Sequence, residues 1–445
     1  MQKNTSIIIL AAGKGTRMKS DKSKLLHKVG NLELVNHAIN TSKKLNYDEI
    51  VIVASEENKD ELAKNVDNRI KITVQKDRLG TAHAAKIGYE SVKYKKNNIL
   101  VICADTPLVR SETYQMLLDK LQNDTVVTVL GFNVKDITSR YGRLIVSNNN
   151  ELQQIIEFKD ATPEERNIPL CNGGITAING EYFDKLMEKI DNKNASGEYY
   201  LTDMVKIAKD YGLKCSFAEA TEEEVMGVNS RLDLAQAEEI FQNMKRKEFM
   251  AKGVTLLDPK TAYFSYDTEI ENDVVIEQNV VILPKVKIMK GCTVKAFSYL
   301  ENCTLENNVS VGPFARIRPE TTLHEGARIG NFVEIKKSNI GKDVKIGHLT
   351  YIGNTDIGEN TNIGAGTITC NYDGYNKFQT TIGKDNFIGS NTVFVAPIKT
   401  GDNCLTGAGS VITKNIEKDD IAITRTNQKS IKNGMIKYRE RKSKK

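Results

Sequence analysis

A glycine-rich segment directly follows the first apolar run of the chain, and it reads LAAGKGTRMKSDKSK over residues 10–24. Gly13 and Gly15 would let the backbone come close to a triphosphate, with N–H groups pointing at its oxygens. Arg17 and Lys24 add positive charge where a pyrophosphate leaving group would develop negative charge. The segment is not a Walker A loop, because no GK[ST] triplet follows at the required spacing. Read alone, it predicts either a phosphate-binding loop or a tight strand-to-helix turn.

A carboxylate, Asp105, ends a later apolar run that reads NILVICADTPL over residues 98–108. A hard carboxylate at the end of a strand suits Mg2+, which keeps several waters and bridges phosphate oxygens. Without its neighbours Asp105 would be an ordinary strand-end aspartate, so the metal assignment depends on the segments around it.

The second half contains three basic or polar segments, which are PFARIRP (313–319), NFVEIKK (331–337) and GHLTY (347–351). Arg318 lies 18 residues before Lys336, and Lys336 lies 15 residues before Tyr351. If one coil of the fold takes a similar number of residues, these groups lie on the same side. Arg318 and Lys336 could then clamp a phosphate.

His348, in the third segment, is a candidate general base. An amine that attacks a thioester must lose a proton, and a neutral imidazole can accept it near physiological pH. A zinc site is disfavoured, because this half has only two histidines, His324 and His348, and a three-histidine catalytic zinc would need one more. A segment that interrupts the repeats, TITCNYDGYNKFQT (367–380), is a further place where binding groups are expected.

The two halves of the chain, which must position these groups, differ in the periodicity of their apolar residues. The first 229 residues alternate helical patterns with short apolar runs rich in β-branched residues, at 6–10, 49–54, 71–75 and 98–104. Such alternation predicts a parallel sheet covered on both faces by helices. Ligands of these sheets bind at the carboxyl ends of the strands.

The second half repeats an aliphatic residue every six positions, with occasional slips of one. A six-residue period fits neither an α-helix nor a simple strand alternation. It predicts a β-helix of hexapeptide repeats, in which each hexad forms one side of a triangular coil and its aliphatic residue points inward. The region to Arg425 would hold roughly nine coils. The inward residues are Ile270, Ile276, Ile282, Ile288, Val294 and Leu300, then Leu305, Val311, Ile317, Leu323, Ile329 and Ile335, then Ile340, Ile346, Ile352, Ile357, Ile363, Ile382 and Ile388.

Between the two halves lies SRLDLAQAEEIFQNMKRKEFMAKG, residues 230–253, whose apolar residues follow helical spacing. Ser230 with Asp233 resembles a capping box, and Gly253 is a plausible stop. The sequence therefore predicts three parts, which are an α/β domain over 1–229, a helical linker over 230–250 and a β-helix domain with a basic tail over 251–445.

The 445 residues are 40% hydrophobic and 27% charged, with a formal net charge of +6, which is an ordinary globular composition. The chain has no basic stripe interleaved with aromatic residues, so no nucleic-acid partner is expected, and its basic end is read as a solvated tail. Seven scattered cysteines without a CxxC pair predict a reduced, cytoplasmic protein. The apolar stretch at 7–12 is too short for an export signal, and no stretch approaches the roughly 18 residues of a membrane span, so no membrane partner is expected.

The extended pattern LAAGxGTRMxxxxxK resembles the sugar-phosphate nucleotidyltransferase family, and further matching segments follow in order along the chain. The resemblance implies a Rossmann-like α/β fold, catalytic roles for Arg17 and Lys24, and one Mg2+ held by Asp105 and Asn229, with Co2+ or Mn2+ as substitutes. The chain departs from the family pattern at Cys103, Ala104 and the pair after Asn172, which changes the lining of the pocket. The residues implied to bind the nucleotide and the sugar are Leu10, Ala11, Ala12, Gly13, Lys24, Gln75, Gly80, Thr81, Gly142, Glu157, Asn172 and Asn229. By this resemblance Gln75, Gly80 and Thr81 would meet the uracil base, and Gly142, Glu157 and Asn172 would hold the sugar.

The ordered set RIRP, VEIKK, GHLTY, NIGAGT and NYDGYNK resembles the acetyltransferase half of the bifunctional N-acetylglucosamine-1-phosphate uridyltransferase/glucosamine-1-phosphate acetyltransferase family. The resemblance implies a left-handed winding, a homotrimer, and support of the base His348 by Glu334. It implies that the amino-sugar phosphate is bound by Arg318, Lys336, Tyr351 and Asn362. The implied acetyl-CoA groove consists of Ala365, Asn371, Tyr372, Ser390, Ala408 and Arg425.

Together the resemblances cover about residues 5–427 and imply a two-step enzyme. The C-terminal half would acetylate glucosamine 1-phosphate from acetyl-CoA. The N-terminal half would transfer UMP from UTP to N-acetylglucosamine 1-phosphate and release pyrophosphate. The alternatives are a single-activity sugar-1-phosphate nucleotidyltransferase whose β-helix is regulatory or oligomerising, and a β-helix that is only a trimerising module.

Overall fold

A computed structural model of the protein describes residues 4–121 and 124–443. The chain divides into two compact units, Met1–Asn243 and Met244–Lys445, which we call the N-terminal and C-terminal units. The division falls inside the helix expected between the two halves, and not at residue 229 or 250. The three-part plan of 1–229, 230–250 and 251–445 therefore stays a prediction.

The N-terminal unit is built on one large sheet in the order β11-β7-β10-β6-β1-β4-β5, to which β8 and β9 are attached, with β2 and β3 as a separate hairpin. β1 lies between β4 and β6 and runs parallel to both. The strands are β1 (Thr5–Leu10), β2 (Lys28–Val29), β3 (Leu32–Glu33), β4 (Tyr47–Ser55), β5 (Lys71–Gln75), β6 (Asn98–Cys103), β7 (Thr125–Asn133), β8 (Arg143–Val146), β9 (Leu152–Ile156), β10 (Leu170–Asn179) and β11 (Lys214–Ala220).

Helices cover both faces of this sheet, as the alternating pattern predicts. Successive residues of β1 point to opposite faces, so Ile7 and Ile9 join one buried cluster and Ile8 joins the other. No helix within the described residues is long and apolar enough to cross a membrane. Along the whole described chain, the helices are α1 (Leu34–Ser42), α2 (Lys59–Asn65), α3 (Thr81–Ser91), α4 (Ser111–Asp119), α5 (Pro163–Arg166), α6 (Gly180–Met187), α7 (Asp203–Asp210), α8 (Arg231–Ala251) and α9 (Gly434–Ser443), with 3-10 turns at Thr16–Met18, Lys24–Leu26 and Pro259–Thr261. Helix α9 and the turn Pro259–Thr261 belong to the C-terminal unit.

The four strands that predicted a parallel sheet, β1, β4, β5 and β6, are parallel as expected, but the complete sheet is mixed. β10 pairs antiparallel with both β6 and β7. Between β7 and β10 the chain forms the β8–β9 hairpin and the short helix α5, and an antiparallel return requires no crossover helix. An apolar run predicts a buried strand, but it carries no information about the direction in which that strand runs.

The C-terminal unit is a parallel β-helix with three sheets, which we call faces 1, 2 and 3. Face 1 contains Thr255–Leu256, Val275–Ile276, Thr293–Val294, Ser310–Val311, Arg328–Asn331, Lys345–His348, Asn362–Ile363, Phe387–Ile388, Leu405–Thr406 and Ile421–Ala422. Face 2 contains Glu269–Ile270, Val286–Ile288, Cys303–Leu305, Thr321–Leu323, Asn339–Ile340, Thr355–Ile357, Thr380–Ile382 and Ile398–Thr400. Face 3 contains Val281–Ile282, Tyr299–Leu300, Arg316–Ile317, Glu334–Lys336, Tyr351–Gly353, Ile368–Cys370, Val393–Val395 and Val411–Ile412.

The inward residues of the six-residue series form one continuous buried cluster, as predicted. The series also continues where the sequence showed an interruption, because Thr369, Thr400 and Thr406 occupy inward positions and are at most 5% exposed. Phe394 and Ile412 fill the remaining inward positions of the last coils. A search for aliphatic residues misses threonine, although its hydroxyl can bond to the next coil and be buried.

Helix α8 begins as the capping-box prediction expects. The main-chain N–H of Asp233 donates to Ser230 Oγ at 3.2 Å, and the N–H of Ser230 donates to Asp233 Oδ2 at 2.8 Å. Gly253 follows the helix with φ of +89°, a conformation that favours glycine and ends the helix.

The β-helix core yields a stability prediction. Ile335→Ala should lower the free energy of unfolding by about 2–5 kcal/mol, because Ile335 is wholly buried and the change leaves a cavity. Ile368→Ala is the matched control, because Ile368 is 42% exposed, and it should cost no more than about 0.5 kcal/mol. Equilibrium urea unfolding measures both. Equal losses in the two variants would contradict the inward assignment.

Candidate active sites

The glycine-rich segment forms a loop between β1 and the turn Thr16–Met18, at the carboxyl end of a central strand. Gly15 has φ of +64°, and a Cβ atom there would lie 2.7 Å from Lys24 Cβ. The loop can therefore fold onto Lys24 only with glycine at this position. Lys24 is 8% exposed, whereas Arg17 is exposed at the surface.

Two side chains that the sequence analysis missed hold the carbonyls of this loop. Asn58 Nδ2 donates to the Ala11 carbonyl at 2.8 Å, and Arg78 Nε donates to the Ala12 carbonyl at 2.9 Å. Arg78 also pairs with Glu57 at 2.6 Å. These contacts fix the backbone of two residues that the resemblance assigns to the nucleotide. No motif marks Asn58 or Arg78, because their partners are main-chain atoms far away in sequence.

Lys24, Asp105 and Asn229 meet at one point. Lys24 Nζ donates to Asp105 Oδ2 at 2.6 Å and to Asn229 Oδ1 at 3.0 Å. Two hard oxygen atoms thus lie beside the same cation, and this donor set fits Mg2+. Among the described residues no three His, Cys, Asp or Glu side chains form a metal-binding cluster. A metal held by Asp105 and Asn229 would therefore take its other ligands from phosphate and water.

The main chain around both oxygen donors is also fixed. The N–H of Val228 donates to the Asp105 carbonyl at 2.8 Å, which joins the segment after β6 to the segment before α8. The N–H of Asn229 donates to Asp233 Oδ2 at 2.9 Å, so the residue that caps α8 also holds Asn229.

The segment assigned to the nucleotide base lies at the end of β5. Gln75 is 4% exposed, and its Nε2 donates to the Gly80 carbonyl at 3.3 Å. Gly80 has φ of +117°, and a Cβ atom there would lie 2.4 Å from the Tyr199 carbonyl oxygen. Thr81 Oγ1 accepts the N–H of Leu201 at 3.0 Å. The three assigned residues therefore lie together against the segment that carries Tyr199 and Leu201.

The three residues assigned to the sugar also lie together. The N–H of Asn172 donates to the Gly142 carbonyl at 2.8 Å. A Cβ atom at Gly142 would lie 3.3 Å from Glu157 Oε2, and Glu157 Oε1 accepts the Thr202 hydroxyl at 3.1 Å. Burial raises the pKa of Glu157 above its ordinary value.

Two of the departures from the family pattern contact each other. Cys103 Sγ donates to the Gly174 carbonyl at 3.5 Å, so the small side chain at 103 lies against the backbone of the glycine pair. Burial raises the pKa of the Cys103 thiol to about 12, so this thiol is neutral and contributes to the lining of the pocket.

In the C-terminal unit, Arg318 and Lys336 occupy the same position on consecutive coils of face 3. Arg316 and Ile317 pair with Glu334 and Ile335, and this register places Arg318 beside Lys336. Arg318 Nη1 donates to Glu334 Oε1 at 2.7 Å.

A third cation joins this pair. The Lys377 ammonium beside Lys336 lowers the pKa of Lys336 below its ordinary value. Three positive groups and two carboxylates, Glu334 and Glu320, therefore share this part of the surface, and the excess of positive charge favours an anion.

His348 ends a strand of face 1, and its Nδ1 contacts Asn331 Oδ1 one coil below. An amide oxygen only accepts, so this contact fits the neutral tautomer that has its proton on Nδ1 and its lone pair on Nε2. The Thr350 hydroxyl donates to the His348 carbonyl at 2.7 Å. The side chain that contacts the imidazole is therefore Asn331, which the sequence analysis missed, while Glu334 contacts Arg318. The interval of 17 residues between Asn331 and His348 was the signal that could have found it.

Four of the six residues assigned to acetyl-CoA form a column above His348, one residue for each coil. Ladder hydrogen bonds join the coils at this corner, from Gly366 N to His348 O at 3.3 Å, from Asn391 N to Ala365 O at 2.7 Å, and from Gly409 N to Ser390 O at 2.8 Å. Arg425 Nη1 donates to the Ala408 carbonyl at 2.8 Å and closes the column. The column, in ascending order, is His348, Ala365, Ser390, Ala408 and Arg425.

The remaining assigned residues lie to the sides of this column. Tyr351 pairs with Glu334 rather than with Lys336, so it lies two residues before Gly353, which is the residue aligned with Lys336. A Cβ atom at Gly353 would lie 2.5 Å from Tyr351 Oη and 2.9 Å from Asn371 Nδ2, so these two groups meet above Gly353.

The interrupting loop and Asn362 complete the set. Tyr372 is 58% exposed and forms an antiparallel bridge with Lys377 in the loop. Asn362 pairs with Lys345 on face 1, three residues before Ala365 of the column.

Models of known protein families match both halves of the chain. The MobA-like NTP transferase domain matches residues 7–154. The bacterial transferase hexapeptide (six repeats) matches residues 267–302 and 302–337, and the hexapeptide repeat of succinyl-transferase matches residues 379–414. The fold is accordingly a Rossmann-like nucleotidyltransferase domain followed by a left-handed β-helix of hexapeptide repeats.

Similar proteins that carry the name bifunctional protein GlmU align over almost the whole chain. The protein of Zymomonas mobilis is 44% identical, with 99% of this chain and 98% of that protein covered. The protein of Paramagnetospirillum magneticum is 42% identical, with coverage of 98% and 96%. The protein of Bartonella bacilliformis is 43% identical, with coverage of 100% and 99%. With this identity over almost the full length of both chains, the chain belongs to the bifunctional GlmU family.

Proposed function

We propose that the protein makes UDP-N-acetylglucosamine in two steps. The C-terminal unit acetylates glucosamine 1-phosphate from acetyl-CoA, and the N-terminal unit transfers UMP from UTP to the resulting N-acetylglucosamine 1-phosphate, with release of pyrophosphate. The product serves as a precursor of peptidoglycan and lipopolysaccharide. The observation that carries the proposal is the presence of two separate groups of assigned residues, one around Lys24 and one around His348, in a member of this family.

In the uridylyl transfer, the sugar phosphate attacks the α-phosphorus of UTP in line with the pyrophosphate that leaves. The glycine-rich loop, held by Asn58 and Arg78, presents main-chain N–H groups to the triphosphate. Lys24 and Arg17 neutralise the charge that develops on the leaving group. Gln75, Gly80 and Thr81 bind the base, while Gly142, Glu157 and Asn172 bind the sugar. The protein contributes mainly position and charge.

Asp105 and Asn229 are the proposed Mg2+ ligands in this step, and Co2+ or Mn2+ can substitute. The ion, when bound, supplies positive charge to the phosphate oxygens. The support is the pair of oxygen atoms that both lie within 3.0 Å of Lys24 Nζ.

In the acetyl transfer, the sugar amine attacks the thioester carbonyl and forms the N–C bond, and His348 Nε2 accepts the proton that the amine loses. The C–S bond breaks, and the imidazolium returns that proton to the departing sulfur, so CoA leaves as the thiol. Asn331 holds the imidazole in the tautomer that this step requires. Arg318 and Lys336 bind the phosphate of the sugar, with Tyr351 and Asn362 beside it. Ala365, Ser390, Ala408 and Arg425, with Asn371 and Tyr372, line the acetyl-CoA groove. A supporting role of Glu334 for the base stays a prediction, since its contact here is with Arg318.

The proposed partners are these small substrates and further copies of the chain. We expect a homotrimer formed through the β-helix, with coenzyme A bound between neighbouring β-helices. The free state of all seven cysteines supports a reducing, cytoplasmic location.

The two sites should be separable by mutation. Asp105→Ala should abolish uridylyl transfer and spare acetyl transfer, and His348→Ala should do the reverse, because each change removes a group from one site only. Asp124→Ala, at a carboxylate that is 72% exposed, and His324→Ala, at a histidine paired with Glu306, are the controls and should retain both activities. Separate assays of pyrophosphate and free CoA measure the two reactions. Loss of both activities in a folded Asp105→Ala or His348→Ala protein would refute the division.

The phosphate clamp should depend on Lys336 and not on its neighbour. Lys336→Gln should raise the KM for glucosamine 1-phosphate by about ten-fold or more, because a charge-assisted contact to phosphate is lost. Lys337→Gln, which removes an exposed lysine paired with Glu320 at 3.5 Å, should leave this KM within about two-fold. Initial rates of CoA release at saturating acetyl-CoA give both values. A similar KM in the two variants would argue against the clamp.

Removal of divalent cations should affect one reaction only. EDTA should abolish uridylyl transfer, and added Mg2+ should restore it. Asp105 and Asn229 can hold the ion, but neither side chain supplies the positive charge that the ion brings to the phosphates. Acetyl transfer should continue in EDTA, because His348 acts as a base without a metal. Acetyl transfer that stops in EDTA and returns with Mg2+ would contradict this account.

The choice of nucleoside triphosphate distinguishes the proposed two-step enzyme from the main alternative, a single-activity nucleotidyltransferase. Purified protein supplied with N-acetylglucosamine 1-phosphate and UTP, CTP, ATP, GTP or dTTP in turn should form pyrophosphate chiefly with UTP. A preference for ATP or GTP, without CoA release from acetyl-CoA and glucosamine 1-phosphate, would favour a single-activity nucleotidyltransferase whose β-helix is regulatory or only trimerising.

A further inference from the structure

Arg143 is the largest wholly buried side chain among the described residues. An arginine stays charged in proteins, and burial of an uncompensated cation costs several kcal/mol. Here the compensation comes from main-chain dipoles, because the guanidinium donates to four carbonyl groups and one thiol. The acceptors are the carbonyls of Ile137, Ser139, Tyr141 and Arg166 and the Sγ atom of Cys171.

Two of these acceptors directly precede residues assigned to the sugar. Tyr141, whose carbonyl accepts from Nη1, precedes Gly142. Cys171, whose Sγ lies 3.2 Å from Nη1, precedes Asn172.

Arg143 is linked to the third residue assigned to the sugar, Glu157, through the aromatic ring of the next residue. Phe158, which follows Glu157, has its ring centre 5.5 Å from the guanidinium carbon of Arg143 and 4.8 Å from that of Arg166. One planar group therefore touches a neighbour of each of the three residues, although they come from three different segments.

We propose that Arg143 is a positioning residue that sets the geometry of the sugar-phosphate pocket in uridylyl transfer. The inference rests on the proposed function of the N-terminal unit. The flat, five-donor guanidinium can bond to several carbonyls at once, whereas a lysine ammonium offers three donors from one point. A change at Arg143 should therefore shift Gly142, Glu157 and Asn172 relative to one another. The contacts of the Arg143 guanidinium lie within residues 137–171 and do not include the glycine-rich loop, so the change should leave that loop in place.

Arg143→Lys in the full chain tests the proposal. The KM for N-acetylglucosamine 1-phosphate at saturating UTP should rise about ten-fold or more, because small displacements of positioning groups are costly. The KM for UTP and the rate of acetyl transfer should stay within about two-fold. Arg140→Lys is the matched control, because Arg140 is an exposed arginine three residues before Arg143, and it should behave as the unaltered protein does. A merely structural role would lower the folded fraction and hence kcat, and would leave both KM values unchanged.

A folded Arg143→Lys protein with an unchanged KM for the sugar phosphate, or with equal increases in both KM values, would overturn the proposal. If Arg143→Lys does not fold, Cys171→Ala decides the matter. Loss of this one acceptor should raise the same KM by about three-fold, and no increase would overturn the proposal. The unaltered protein, measured in the same series, shows whether a negative result refutes the proposed uridylyl transfer or only the role of Arg143. If it shows no uridylyl transfer, the proposed function itself is wrong, whereas normal transfer with unaffected variants refutes only the role of Arg143.

Discussion

The contact of the Lys24 ammonium with Asp105 and Asn229 is the interaction on which the N-terminal site depends. It joins segments that are 81 and 205 residues from Lys24 in sequence. Two oxygen atoms brought close in a partly buried place repel each other, and a cation between them offsets that repulsion. The glycine-rich loop folds over Lys24 because Gly15 has no side chain, so the loop and the proposed metal ligands share one anchor.

The C-terminal site depends on a different constraint, which is the register between consecutive coils. Main-chain hydrogen bonds stack the coils, so residues one coil apart lie above one another. A long groove can then be formed from one residue of each coil, as in the column from His348 to Arg425. The length and direction of the groove follow from the repeat. Its chemistry follows from the few side chains that occupy the groove position on each coil. The β-helix is in this way both the scaffold and the positioning device of the site.

The six-residue period predicted the β-helix because every coil must bury one side chain on each face. The period was lost where Thr369 and Thr406 point inward, since a hydroxyl bonded to a neighbouring coil satisfies the same position without an apolar signal. Thr369 Oγ1, for example, donates to the Gly353 carbonyl at 3.2 Å. Most of the assigned site residues lie in short motifs that can be read from the sequence, whereas the side chains that hold them lie outside those motifs. Arg78 bonds to a carbonyl 66 residues away in sequence, and local sequence carries no sign of such a contact.

The central claim is that one chain carries two independent sites that work in sequence. The most direct test supplies purified protein with glucosamine 1-phosphate, acetyl-CoA and UTP, and measures free CoA, pyrophosphate and nucleotide sugar over time. The account predicts that CoA appears first, that pyrophosphate follows, and that each molecule of UDP-N-acetylglucosamine is matched by one CoA and one pyrophosphate. Pyrophosphate and an unacetylated nucleotide sugar formed without CoA release would contradict it.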